Sequence, residues 1–229
     1  MVFAFLFFSM LLSARTQGAS GMTAAQVIAK NLAARGGAAH FAAVRTLHFT
    51  GHIQLAPGQS AGLEVWLATA PKRIRIEVNL PAGKLVQAFD GTTAWQRAPG
   101  QAAATVLSGA AANQIIDQAI NFIDLMADPE AKAIVTGSGR LDGHDYYKVQ
   151  FTLPTGDAFT QYVDTHTWLV FHEEYPGGIE EISDYRKVGG LLLPYRYVSG
   201  PVGQKGSPLT RDTSMLNEPM AAGLFQKPE

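Results

Sequence analysis

Five carboxylates, Glu173, Glu174, Glu180, Glu181 and Asp184, crowd into one stretch of the chain. Two carboxyl groups held about 5–9 Å apart can cleave a glycosidic bond, one as acid and the other as nucleophile or base. These acids stand side by side in pairs, and neighbours on an extended chain point to opposite faces. The cluster therefore reads as a solvated hairpin. Of the six histidines, His48 and His52 lie four apart on one strand face, a span of about 13 Å that is too long for direct ligation of one metal. No HExxH helix is present. Ser138 sits between Gly137 and Gly139, without the G-x-S-x-G elbow that exposes a nucleophile. Gly200, Gly203 and Gly206 form a loop that no helix follows, so no phosphate-binding helix start is formed. Arg73 and Arg75 suit either an anionic headgroup at a cavity rim or cross-strand pairing on a wet face. The chain shows no catalytic constellation, and neither a metal nor a cofactor is expected.

Composition narrows the class. The 229 residues are 47% hydrophobic and 16% charged, enough to bury a sizeable core. A net charge of −1 argues against nucleic acid as a partner. With no cysteine, disulfides, thiolate chemistry and lipid attachment to an N-terminal cysteine are excluded. Val2 to Leu12 is apolar except for Ser9, and Gly18, Ala19 and Ser20 follow. That run fits a secretory signal peptide and is short of the roughly 20 residues of a membrane span. Residues 1–20 are thus expected to be a signal peptide, and 22–229 a single exported domain.

The elements that would position any site follow from periodicity. Thr23 to Gln26 is a capping-box sequence, with Val27, Ile28 and Leu32 on one helical face and Gly36-Gly37 as the stop. Leu47, Phe49, Gly51 and Ile53, then Leu63, Val65 and Leu67, then Ile74, Ile76 and Val78 alternate as half-buried strands do. Turns are predicted at Asp90-Gly91, Asp142-Gly143, Pro154 to Gly156, Pro176 to Gly178 and Gly189-Gly190. Between Ala111 and Ala127 the period changes to that of a helix with a broad apolar arc, stopped by Asp128-Pro129. The whole is a meander of some ten strands. Its interior is either a packed core or a lidded cavity. The competing reading to a ligand carrier is an interaction domain that fills its own core and docks a protein partner through a sheet edge.

The runs VQAFDGTTAWQ (Val86 to Gln96), QYVDTHTWLVFHEEY (Gln161 to Tyr175) and ISDYRKVGGLLLPYRY (Ile182 to Tyr197), the closing NEPMAAGLFQKP, and KNLAARGGAAHFAAVRTLHFTG (Lys30 to Gly51) resemble bacterial envelope proteins with the LolA/LolB lipoprotein-carrier fold. The likeness implies an α+β, mainly antiparallel fold. It would be a strongly curved, incomplete barrel whose apolar concave face holds acyl chains under a helical lid, Ala111 to Ala127. The expected lining is Val65, Leu67, Ile74, Ile76, Val78 and Trp95 from the first strands, with Ile116, Ile120 and Ile123 from the lid. Tyr147, Val149, Phe151, Leu169, Phe171 and Ile182 would complete it. The implied function is a periplasmic carrier or binding protein for lipoprotein acyl chains or other lipid-like ligands, in outer-membrane lipoprotein sorting or envelope lipid handling. It would act as a monomer with transient envelope partners. Lack of cysteine matches the soluble carrier and departs from the outer-membrane receptor, itself a lipoprotein.

Overall fold

Glycine-containing turns cut the chain into strands at the predicted points. In the computed structural model, which describes residues 21–122 and 124–228, Asp142 and Gly143 have φ of 49° and 88°, and Gly189 and Gly190 have 53° and 88°. Two consecutive positive-φ residues give the tight turn whose twist matches the strands it joins. The expected signal peptide and Ile123 lie outside the described residues.

The chain opens with α1 (Ala24–Ala34) and α2 (Ala38–Ala42). The strands β1 (Thr46–Ala56), β2 (Gln59–Thr69), β3 (Lys72–Leu80), β4 (Gly83–Phe89), β5 (Ala94–Arg97) and β6 (Thr105–Val106) follow. After α3 (Gly109–Asn121) come β7 (Lys132–Leu141), β8 (His144–Thr152), β9 (Ala158–Asp164) and β10 (Val170–Tyr175). The last three are β11 (Gly178–Val188), β12 (Leu191–Gly200) and β13 (Ser207–Leu216). Thr23 caps α1 as its sequence predicts: its hydroxyl accepts from Gln26 N at 3.3 Å, and its own amide donates to Gln26 Oε1 at 2.9 Å. The expected helix Ala111 to Ala127 is shorter than predicted. It stops at Asn121, and a separate 3-10 turn, Leu125–Ala127, is capped by Asp124, which accepts from Met126 N at 2.9 Å. An Asp bonds readily to nearby backbone, as Asp124 does to Met126 N, and so starts a new turn where apolar periodicity alone would extend the helix.

The strands form one antiparallel sheet, curved and open, in the order β6-β5-β4-β3-β2-β1-β13-β12-β11-β10-β9-β8-β7. The chain starts at the middle with β1 and meanders out to one edge at β6. It crosses to the opposite edge at β7, then meanders back until β13 pairs with β1. The crossover carries α3, which is why that helix lies over the sheet. This is the half-barrel expected from the sequence. No helix among the described residues is long and apolar enough to cross a membrane.

Two apolar clusters occupy the concave face. In the first, Ile115 and Ala119 of α3 pack with Val65, Leu67, Ile74, Ile76 and Val78 of β2 and β3, and with Phe49 of β1. In the second, Val149, Phe151, Val163, Val170 and Ile182 pack with Val27 of α1 and with Ile116 and Ile120 of α3. On the convex side the C-terminal tail straps β3 and β5. Trp95 Nε1 donates to Phe225 O at 2.9 Å, and Arg75 donates to Leu224 O at 3.1 Å.

Candidate functional site

Between the clusters, over β9 to β13, the concave face is hollow. The cavity measures about 590 Å³, within the range that holds small-molecule ligands. Val170, Ile182, Leu193 and Leu209 give it an apolar wall, and Phe159, Tyr175, Tyr185 and Tyr197 add rings. Its roof is the polar edge of α3: Gln114, Asp117, Gln118 and Asn121, spaced by three and four residues. The helix thus turns its isoleucines into the two clusters and its amides toward the hollow.

Hairpin register places a carboxyl pair inside. Tyr175 pairs with Gly178 across the Pro176-Gly177 loop, which sets Glu173 opposite Glu180. Both line the cavity, and Glu173 is 2% exposed. Asn121 Nδ2 donates to Glu173 Oε1 at 2.8 Å and Gln161 Nε2 to Oε2 at 2.7 Å, while the Ser199 hydroxyl donates to Glu180. Burial, reinforced by Glu180 across the ladder, pushes the Glu173 carboxyl up to about 8. Burial raises Glu180 as well, against the pull of Ser199 and Arg211. Asp117 on the roof is raised to about 6 by burial and by Asp157, although Thr155 donates to it at 2.7 Å. The solvated hairpin expected from the sequence is therefore corrected. Glu174 faces outward, 3.1 Å from Lys148, while Glu173 and Glu180 face inward.

Two arginines border the cavity. Arg35, at the end of α1, donates through Nε to Leu192 O at 3.1 Å, and its guanidinium forms an ion pair with Asp124. Arg211 of β13 is 2% exposed. Its guanidinium carbon lies 4.2 Å from the Phe49 ring centre and 5.1 Å from that of Tyr197. Its Nε is buried without a partner, and among the described residues the guanidinium has neither a hydrogen bond nor an ion pair. Arg73 and Arg75, the arginines that the sequence singles out, sit on the convex face instead. Arg75 pairs with Glu77 at 2.6 Å, and Arg73 lies over Phe225.

Of the fifteen residues expected to line a cavity, Ile182 borders this one. Val65, Leu67, Ile74, Ile76 and Val78 are packed beneath α3, and Ile116, Ile120, Tyr147, Val149 and Phe151 belong to the second cluster. Leu169 is half-buried in the turn before β10. Trp95 is on the convex face, because it pairs with Ala88, which pairs with Arg75. Phe171 is also outside, its ring 4.4 Å from that of His144. The register of β10 against β9 shifts between Val170 and His172. Such a bulge adds one residue and reverses the alternation beyond it, so Val170 and Glu173 point in while Phe171 points out. Glu173, Glu180 and Arg211 are the residues that apolar periodicity misses. A signal for one of them was present: Glu180 stands two residues from Ile182 on the same strand face. Among the described residues no three His, Asp or Glu side chains converge as metal ligands.

No family model matches the chain, and no curated protein matches it. Solved structures do. A LolA superfamily protein from Nitrosomonas europaea is 15% identical over 90% of this chain and 99% of that one, with a TM-score of 0.64. A DUF1329 family protein from Desulfovibrio piger is 14% identical over 89% of this chain and 95% of that one, with a TM-score of 0.60. The chain has a LolA-like fold.

Proposed function

We propose that the protein is an exported, periplasmic and non-enzymatic carrier or binding protein for a lipid-like amphiphile, such as an acyl chain of a lipoprotein or of another envelope lipid. The observation that carries this reading is the cavity of about 590 Å³ on the concave face of an open half-barrel, roofed by α3. Its wall of Val170, Ile182, Leu193 and Leu209 suits an apolar chain, and burying each methylene there contributes about 0.8 kcal/mol. Its polar groups suit a headgroup. The apolar segment Val2 to Leu12 supports export. Val106 on β6 and Ile134 on β7 are 55% and 60% exposed on the two edge strands, which suits transient contact with envelope proteins.

Native mass spectrometry of protein purified without detergent tests the reading, followed by solvent extraction of whatever it releases. The expected result is an adduct that dissociates as an amphiphile of lipid mass. A bare polypeptide that also takes up no fluorescent fatty-acid probe would overturn it.

A further inference from the structure

Charge inside the cavity is unevenly resolved. A carboxyl group taken out of water can accept a proton and become neutral, and burial pushes both Glu173 and Glu180 toward that form while Asn121, Gln161 and Ser199 hold their oxygens. An arginine has no such escape, since the guanidinium keeps its charge at any ordinary pH. Arg35 is settled by Asp124 and by the Leu192 carbonyl. Arg211 is not. It is buried, borders the cavity, and its Nε has no partner. The register shift between Thr50 and Gly51 on β1, where β13 carries one extra residue, sets Arg211 opposite Gly51 and beside the inward Leu209. Phe49 and Tyr197 lie against the guanidinium. A planar fork held in this way matches the two oxygens of a carboxylate.

We infer that Arg211 is the anchor for one negative charge on the ligand: the cavity takes a monoanionic, fatty-acid-like amphiphile, with its carboxylate on Arg211 and its chain along Leu209, Leu193, Ile182 and Val170. The single charge follows from the lining. Arg211 is the one unpaired cation that borders the cavity among the described residues, and Glu180 is close enough to feel it. A second negative charge would find no cation, since Arg35 is paired with Asp124 and the carboxyl groups of Glu173 and Glu180 are at best neutral. This inference rests on the proposed binding function and names its ligand class.

Isothermal titration of the delipidated protein at pH 7 with dodecanoate, 1-dodecanol, dodecyl phosphate and dodecyltrimethylammonium tests it. Dodecanoate is expected to bind at least 10-fold tighter than any of the other three, the order set by charge-assisted hydrogen bonds. Arg211→Met should weaken dodecanoate by about 10- to 100-fold and leave 1-dodecanol unchanged. The same variant should melt, ligand-free, no lower than the parent, because it removes a buried charge that no hydrogen bond or ion pair among the described residues compensates, and methionine still fills the space between Phe49 and Tyr197. Equal binding of dodecanoate and 1-dodecanol, or preference for the phosphate or the ammonium, overturns the inference while leaving the binding function standing. If none of the four binds, it is the binding function that fails. If Arg211→Met does not fold, the arginine is structural, the melting expectation fails, and the parent's ranking of the four ligands decides the rest.

Discussion

The strands β1 to β5 and the strands β9 to β13 are two regions of one sheet, joined where β1 meets β13, yet the first, the filled half, is packed by α3 throughout, while the second, the hollow half, encloses the cavity beside its own apolar cluster. In the filled half β2, β3, β4 and β5 pair without a register shift, the shift of β1 against β2 falls at its exposed end between Gln54 and Ala56, and the inward side chains meet the apolar side of α3. In the hollow half β10 and β13 each carry a shift, and Glu173, Glu180 and Arg211 stand at inward positions. Unbroken alternation builds dry core. A cavity arises where alternation is interrupted and polar groups replace the apolar side chains that would otherwise close it.

Matched truncations sharpen the contrast. Ile74→Ala in the filled half should cost about 4 kcal/mol in urea unfolding, through lost transfer energy and a new void. Ile182→Ala, on the wall of a space already open, should cost about 2 kcal/mol and weaken ligand binding as well. Equal losses at the two sites would mean that the halves are equally packed. The seam between them is tested by Gly51→Ala. Its Cβ would sit 2.2 Å from Thr210 O, which is backbone and cannot swing aside, so a loss of about 3 kcal/mol is expected in the same assay.

Titration separates the halves in a second way. The folded Glu173 carboxyl, at about 8, lies above its unfolded value of about 4.3. The folded state therefore binds more protons between those values. Its stability is fully present below about pH 4.3 and is lost as pH rises through about 8. Glu173→Gln keeps the shape and removes the proton, so it should flatten a plot of Tm against pH in that window. The gain should be near zero below about pH 4.3 and grow until it levels off above about pH 8. A variant with the parent's slope would place the buried titration elsewhere. The smallest effect belongs to the convex face. Lys148→Ala, which breaks a solvent-screened pair with Glu174, should change stability by about 0.5 kcal/mol or less.

Most of the fold was legible because it is written in local chemistry. Gly189-Gly190 and Asp142-Gly143 specify their turns, Thr23 and Gln26 specify a helix start, and Ile74, Ile76 and Val78 specify an inward face. The short edge strand β6 was missed, since Thr105–Val106 is too brief to show a period. The site was far less legible. Apolar alternation led to the residues that fill space, so Val65, Leu67 and Ile74 stood in for a cavity that lies elsewhere. Phe171 was misplaced by a bulge that depends on how β9 pairs with β10, and Arg211 owes its place to β13 meeting β1 from the far end of the chain. Acids usually face solvent, which is why the sequence reads Glu173 and Glu180 as part of a solvated hairpin. Their register across the Pro176-Gly177 loop, with Ile182 two residues on, pointed the other way.

Intermolecular nuclear Overhauser effects between bound dodecanoate and methyl-labelled protein test the central claim most directly. The predicted pattern is contact with the methyl groups of Val170, Ile182, Leu193 and Leu209, and none with those of Val65, Leu67, Ile74 or Ile76. Contacts confined to the second set would place the ligand under α3 in the half described as filled, and would contradict the account.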